Sequence, residues 1–169
     1  LKHILKIIPQ SLYSMLLEDV PEFSITDTFS ILEYSPFKGA CYSGKLDIVQ
    51  LLWNLLSLSQ QEKIIKDQFE PCLIIAAKNG YLEIIKQLTK WIKSEQKISF
   101  LTSQDCNAFV YAADRGYKEI IEFILESLPP SLHLLPLSAS NFAAYRLATK
   151  SQHQNVVDFF EANTNQETI

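Results

Sequence analysis

The 169 residues include 47% hydrophobic and 20% charged side chains, the balance of a folded domain able to bury a core and not that of a disordered chain. Fifteen Lys and Arg against nineteen Asp and Glu leave a net charge of −4, and the lysines are interspersed with acids, which disfavours nucleic acid as a partner. No apolar run is long enough to cross a bilayer, and no basic, apolar leader opens the chain. Three widely spaced cysteines, Cys41, Cys72 and Cys106, suit reduced thiols in a cytoplasm better than a disulfide framework. The chain starts at Leu1 without a Met and is read as a fragment of a longer polypeptide or a processed product. Lys far outnumbers Arg (Arg115 and Arg146), Ile is abundant and Gly is scarce, the usage of an AT-rich genome.

From the N-terminus, helices are expected near 1–8 and 10–19, ending at the Val20-Pro21 break. From 35 onward the chain repeats itself. GACYSGKLDIVQLL (39–52), IAAKNGYLEIIKQL (75–88), YAADRGYKEIIEFI (111–124) and LATKSQHQNVVDFF (147–160) each start 36 residues after the last, without a gap. Ala40, Ala76, Ala112 and Ala148 share one column; Gly44, Gly80 and Gly116 share another, with Gln152 replacing Gly in the last copy. Asp47, Glu83 and Glu119 precede the apolar pairs Ile48-Val49, Ile84-Ile85 and Ile120-Ile121, and Val156-Val157 completes that column. Leu52, Leu88, Ile124 and Phe160 follow.

Each copy predicts a helix pair. A short first helix ends at a glycine able to take the positive φ of a C-terminal cap. Its small Ala lets the neighbouring unit approach closely. The second helix opens with an acid, favoured by the helix dipole, and presents one apolar face. No single pair can bury that face alone, so the units must stack. The frame divides the chain into a degenerate first unit or cap at 1–34, units at 35–70, 71–106 and 107–142, and a truncated unit with tail at 143–169. Pro129 and Pro130 interrupt the third unit after its second helix, and the polar tail EANTNQETI after Phe160 is expected to fray.

These units resemble ankyrin repeats, whose first helix reads T-P-L-H-L-A-A, then two variable residues and G-H. SPFKGAC (35–41) followed by Tyr42, Ser43 and Gly44 carries the likeness, as do PCLIIAA (71–77), Phe109 with Ala112-Ala113, and Tyr145 with Leu147-Ala148. The resemblance implies an all-α, ankyrin-like solenoid of stacked helix-turn-helix repeats. The period is 36 instead of about 33, and the D-x-x-G signature of the β-hairpin finger is missing: Glu33, Phe69, Asp105 and Asn141 hold its glycine position. The fingers are expected to be irregular or to carry an extra helical turn, in segments such as 60–67 and 95–101.

Chemistry is hard to find. No Cys or His pair has metal-ligand spacing, so no metal is expected; Cys41 falls in the second Ala column, where a small thiol packs well. Asp105, Cys106 and His133 are the one imaginable thiol-hydrolase group, and repeat geometry separates them. His153 occupies the column of the family's G-H histidine and is read as a structural hydrogen-bonding residue. With four glycines there is no phosphate-cradling loop. Trp53 and Trp91, on second helices, pack between units or present a convex interface. No enzyme activity and no cofactor are expected.

What remains is surface. The resemblance implies that the variable pairs Tyr42-Ser43, Lys78-Asn79, Asp114-Arg115 and Lys150-Ser151 face a concave side, flanked by finger residues Tyr34, Glu70, Cys106 and Phe142. Aromatic anchors ringed by charges suit a binding surface. Tyr34, Tyr42, Glu70, Lys78, Asn79, Asp114, Arg115, Phe142 and Lys150 are the expected partner contacts. The expected function is recognition of another protein, with neither nucleic acid nor membrane as partner. The alternative is a repeat region that positions substrate for an enzyme domain outside this chain. The Ile- and Lys-rich usage is similar to that of ankyrin repeats from intracellular bacteria, which implies an effector that acts in a host cytosol.

Overall fold

The computed structural model describes residues 36–164, so the expected unit at 1–34, Tyr34 and the last five residues of the tail lie outside the described residues. Nine α-helices follow one another there: α1 (Pro36–Tyr42), α2 (Leu46–Asn54), α3 (Leu58–Asn79), α4 (Leu82–Trp91), α5 (Lys97–Leu101), α6 (Ser103–Asp114), α7 (Lys118–Glu126), α8 (Leu134–Lys150) and α9 (Gln154–Thr164). Short 3₁₀ turns, Ser94–Gln96 and Pro130–Leu132, precede α5 and α8. No strand occurs among the described residues.

The recurring columns explain the architecture. Ala40, Ala76, Ala112 and Ala148 are all buried, and α1, α3, α6 and α8 pack side by side in chain order as one layer. The second helices α2, α4, α7 and α9 each fold back on the first helix of their own unit and bury their Ile and Val pairs against it. The fold is thus the expected all-α stack.

Every unit turns between its helices in one way. Gly44, Gly80 and Gly116 have φ of 69°, 78° and 75°, and Gln152 takes the same left-handed conformation at 61°. The carbonyls of Ala40, Ala76, Ala112 and Ala148 each accept the N–H five residues on, at 2.9–3.2 Å, which satisfies helix-end acceptors. The next unit then presses a ring onto each glycine. A Cβ on Gly44 would lie 2.7 Å from the Tyr81 ring, one on Gly80 2.7 Å from Tyr117, and one on Gly116 2.6 Å from His153.

The fingers depart from the sequence reading in a definite way. In the second unit the finger is absent as such: α3 runs straight through 60–67 and across the 70/71 division, with Pro71 in its interior. A capping box starts it, the Ser57 N–H donating to Gln60 Oε1 at 2.9 Å. Pro71 had read as a helix start; here its missing N–H costs one internal hydrogen bond, and tertiary packing of Phe69, Cys72 and Leu73 holds the helix together. In the third and fourth units the helix breaks instead at three consecutive left-handed residues, Gln104, Asp105 and Cys106 (φ 47°, 56° and 59°) and Ser140, Asn141 and Phe142 (φ 47°, 58° and 57°). The two turns stand 36 residues apart, so the repeat governs the irregular backbone as well as the helices. The segment 95–101 carries the extra helical turns expected of it. The tail differs from expectation: α9 continues through Thr164, where the polar residues after Phe160 had read as frayed.

The core is continuous along the stack. Its first half is aromatic: Trp53 and Trp91 stack with ring centroids 4.3 Å apart, and Phe37 stacks on Phe69 at 5.9 Å. Both tryptophans therefore pack between units, which decides against the convex-interface reading.

Candidate functional site: the open face of the first-helix layer

α1, α3, α6 and α8 lie side by side, and the variable pair before each turn includes at least one exposed residue in every unit. Tyr42 is 47% exposed at the end of α1. Lys78 is exposed, and its Nζ stands 5.7 Å from the ring centroid of Tyr111 in the next unit. Asp114 is half-buried and accepts a hydrogen bond from Ser151 Oγ at 3.1 Å, while Arg115 Nε lies 3.8 Å from its carboxylate. Lys150 is exposed at the end of α8. Phe142 stands 53% exposed on the left-handed turn of the fourth unit.

Two of the expected contact residues are otherwise engaged. The Asn79 side chain donates to the carbonyl of Ile75 at 3.0 Å, within the last turn of α3. Glu70 is half-buried within the straight helix that replaces the finger. Tyr34 lies outside the described residues. Tyr42, Lys78, Asp114 and Lys150 occupy equivalent positions in successive units, with Arg115 next to Asp114 and Phe142 at the finger end of the last.

Side-chain hydrogen bonds tie neighbouring units together. Gln50 donates to Gln87 at 3.1 Å, Ser140 donates to the Asp105 carboxylate across the two finger turns, and His153 Nε2 lies 3.0 Å from the carbonyl oxygen of Asp114. His153 thus has the structural hydrogen bond expected of it. A carbonyl only accepts, so Nε2 carries the proton.

The thiols are packed away. Cys41 and Cys72 are fully buried; the hydrogen bond between them and the loss of solvent both drive the Cys41 pKa upward. Cys106 is buried in the finger turn, and burial, with the nearby Asp105 carboxylate, pushes it up to about 11. A protonated buried thiol is a poor nucleophile. His133 is engaged elsewhere, its Nε2 donating to the Leu128 carbonyl at 3.1 Å. Among the described residues no three His, Cys, Asp or Glu side chains converge on a point where a metal ion could sit, and no helix is long and apolar enough to cross a membrane.

The sequence reading named Phe142 but missed the other exposed apolar side chains of α8. Leu134, Leu135, Phe142 and Tyr145 are all exposed and all belong to α8. Tyr145 stands in the column of Phe37, Leu73 and Phe109, all three buried; comparison along that column was the available signal.

Three comparisons bear on this arrangement. The family model for ankyrin repeats matches in three copies over residues 37–132. Among solved structures, the chain is similar to an ankyrin repeat family protein from Legionella pneumophila at 22% identity and a TM-score of 0.61, over 73% of this chain. The chain spans 35% of that protein's length. No curated protein matches it.

Proposed function

From a chain that belongs to the ankyrin-repeat family, we propose a module that binds one protein partner on the open face of the first-helix layer. Ankyrin repeats are in general protein-interaction units. The observation that carries the finer reading is the pair of aromatic side chains, Tyr42 at the end of α1 and Phe142 on the left-handed turn within α8, 47% and 53% exposed, with Lys78, Arg115 and Lys150 exposed on the same layer of helices. A large ring fixed in solvent by a well-packed scaffold loses little conformational entropy on binding and gains area, the usual character of an anchor. Asp114 adds an acceptor to the same stripe, and Tyr34 and Glu70 flank it in the expected contact set; Asn79 contributes its backbone more than its amide.

The partner reads as protein and not nucleic acid, since the chain carries a net charge of −4 and its lysines are interspersed with acids. The Legionella protein is about twice as long as this chain, which supports a place inside a larger polypeptide. An effector delivered to a host cytosol fits that reading. The same observation supports a second one, in which these repeats hold substrate for a catalytic domain elsewhere.

The test is a triple variant, Tyr42→Ala with Lys78→Ala and Arg115→Ala, compared with wild type for proteins retained from host and bacterial lysates. Retention of a discrete partner by wild type, lost in the variant with helical circular dichroism unchanged, is the expected result. Equal retention by both proteins refutes the open-face site.

A further inference from the structure

The cations of this chain are shared unevenly between its two kinds of helix. The stretches that run into the four turns, 35–44, 71–80, 107–116 and 143–152, hold Lys38, Lys78, Arg115, Arg146 and Lys150 against one acid, Asp114. The rest of the chain holds ten cations and eighteen acids. A protein that is acidic overall therefore carries an excess of positive charge on its first helices.

Geometry gathers these charges. Residues four apart share one face of a helix, so Lys38 lies with Tyr42 on α1 and Arg146 with Lys150 on α8. Neighbouring units meet in a fixed register: Lys78 Nζ stands 5.7 Å from the ring centroid of Tyr111, and Ser151 Oγ donates to Asp114 at 3.1 Å. Lys78, Arg115, Arg146 and Lys150 are exposed and Lys38 is half-buried. Among the described residues Arg115 is the one of the five that lies within 4 Å of an acid, and that acid, Asp114, is half-buried and shared with Ser151. Arg146 donates to the Ser140 carbonyl at 3.2 Å and Lys78 faces a ring, so both meet neutral partners that leave their charge uncompensated. In the adjoining column Ile75, Tyr111 and Leu147 are half-buried and supply apolar ground between the cations.

Charge and spacing together define a ligand. Packed helices lie ~8–10 Å apart, and an extended chain of polyproline II type returns to the same side every three residues, a rise of ~9 Å. A carboxylate at every third residue therefore meets the cations of successive units, with the intervening side chains free to reach the apolar column. Complementarity of this kind sets specificity and encounter rate. A long polyanion is disfavoured, because beyond this face it meets eighteen acids against ten cations. Resting on the open-face reading above, we propose that the partner presents an extended acidic segment, with aromatic or apolar residues between its carboxylates, to the first-helix layer.

Fluorescence anisotropy of the whole 169-residue chain with labelled probes tests this. The probes are a peptide of repeated Glu-Ser-Tyr, its Lys-Ser-Tyr counterpart and an oligothymidylate matched to the acidic peptide in charge. The acidic peptide is expected to bind at least tenfold more tightly than either of the others, and to weaken about tenfold from ~50 to ~300 mM salt. Lys78→Glu with Lys150→Glu, both at exposed sites, is expected to weaken it at least tenfold with unchanged helical signal. Lys63→Glu with Lys66→Glu, the same change of charge on the exposed first half of α3, is expected to alter it less than twofold. Oligothymidylate binding as tightly as the acidic peptide overturns the proposal, as does equal loss in the two double variants. A lysate partner lost by the triple alanine variant, while the acidic peptide fails to bind, leaves the open-face site standing and removes its acidic ligand.

Discussion

The imidazole of His153 lies flat against the backbone of Gly116: a Cβ on that glycine would come within 2.6 Å of Nδ1. The glycine thus meets two demands at once, a left-handed φ of 75° and the absence of a side chain. Gln152, at φ 61°, meets only the first. Gly116→Ala is accordingly expected to cost about 2–3 kcal/mol, from left-handed strain and from overpacking against the ring. Gln152→Gly should change stability by less than ~1 kcal/mol. Urea unfolding measures both; equal shifts would mean that the ring contact contributes nothing.

The stacked tryptophans give a second expectation. Trp53 is buried against Trp91, Phe37 and Phe69, so Trp53→Ala opens a large cavity in the first half of the core. A loss of about 3–5 kcal/mol is expected, with a red shift of the remaining Trp91 emission as water enters. A loss under ~1 kcal/mol would show that the two rings do not share a packed core.

The helix pairs were legible because their signals are local and each is a physical requirement. A small residue is needed where helices touch, as at Ala76; a residue tolerant of positive φ is needed at the turn, as at Gly80; an apolar pair is needed facing the layer, as at Ile84-Ile85. The fingers were illegible for the opposite reason. Nothing in Gln104, Asp105 and Cys106 announces three left-handed residues, since no glycine marks them. Pro71 reads equally as a helix start or as a tolerated interior proline, and only packing decides. The capping box at Ser57 and Gln60 was the missed clue to where α3 begins. The candidate stripe was legible as columns, but not how its members are held: the Asn79 amide bonds back to its own helix, and Phe142 sits on a turn.

The strained finger supplies a third prediction. Gln104 is exposed and left-handed, at φ 47°. Gln104→Gly relieves roughly 1–2 kcal/mol of left-handed strain and gives back about 0.5–1 kcal/mol in unfolded-chain entropy. A net gain of about 0.5–1 kcal/mol should raise the melting temperature by about 1–4 °C. A lower melting temperature would indicate that the turn does not carry that strain.

The buried thiols set a pH dependence whose sign follows from their surroundings. Burial raises Cys106 from 9.0 to about 11, and Cys41 is raised as well. Below pH 9 the folded and unfolded chains both hold these protons, so the thiol contribution to stability is complete. Between pH 9 and about 11 the unfolded chain releases the Cys106 proton while the folded chain keeps it. The unfolded state then binds fewer protons, and stability falls as pH rises. The diagnostic is a comparison: the urea midpoint of Cys106→Ala should decline less steeply from pH 8 to 10 than that of wild type. At pH 8, thiol labelling of the native protein should be slow and should accelerate with added urea, because reagent reaches the thiolates only through opening of the stack. Parallel pH slopes in the two proteins, or rapid labelling of all three cysteines in the native state, would place Cys106 in contact with solvent and contradict its packing in the turn.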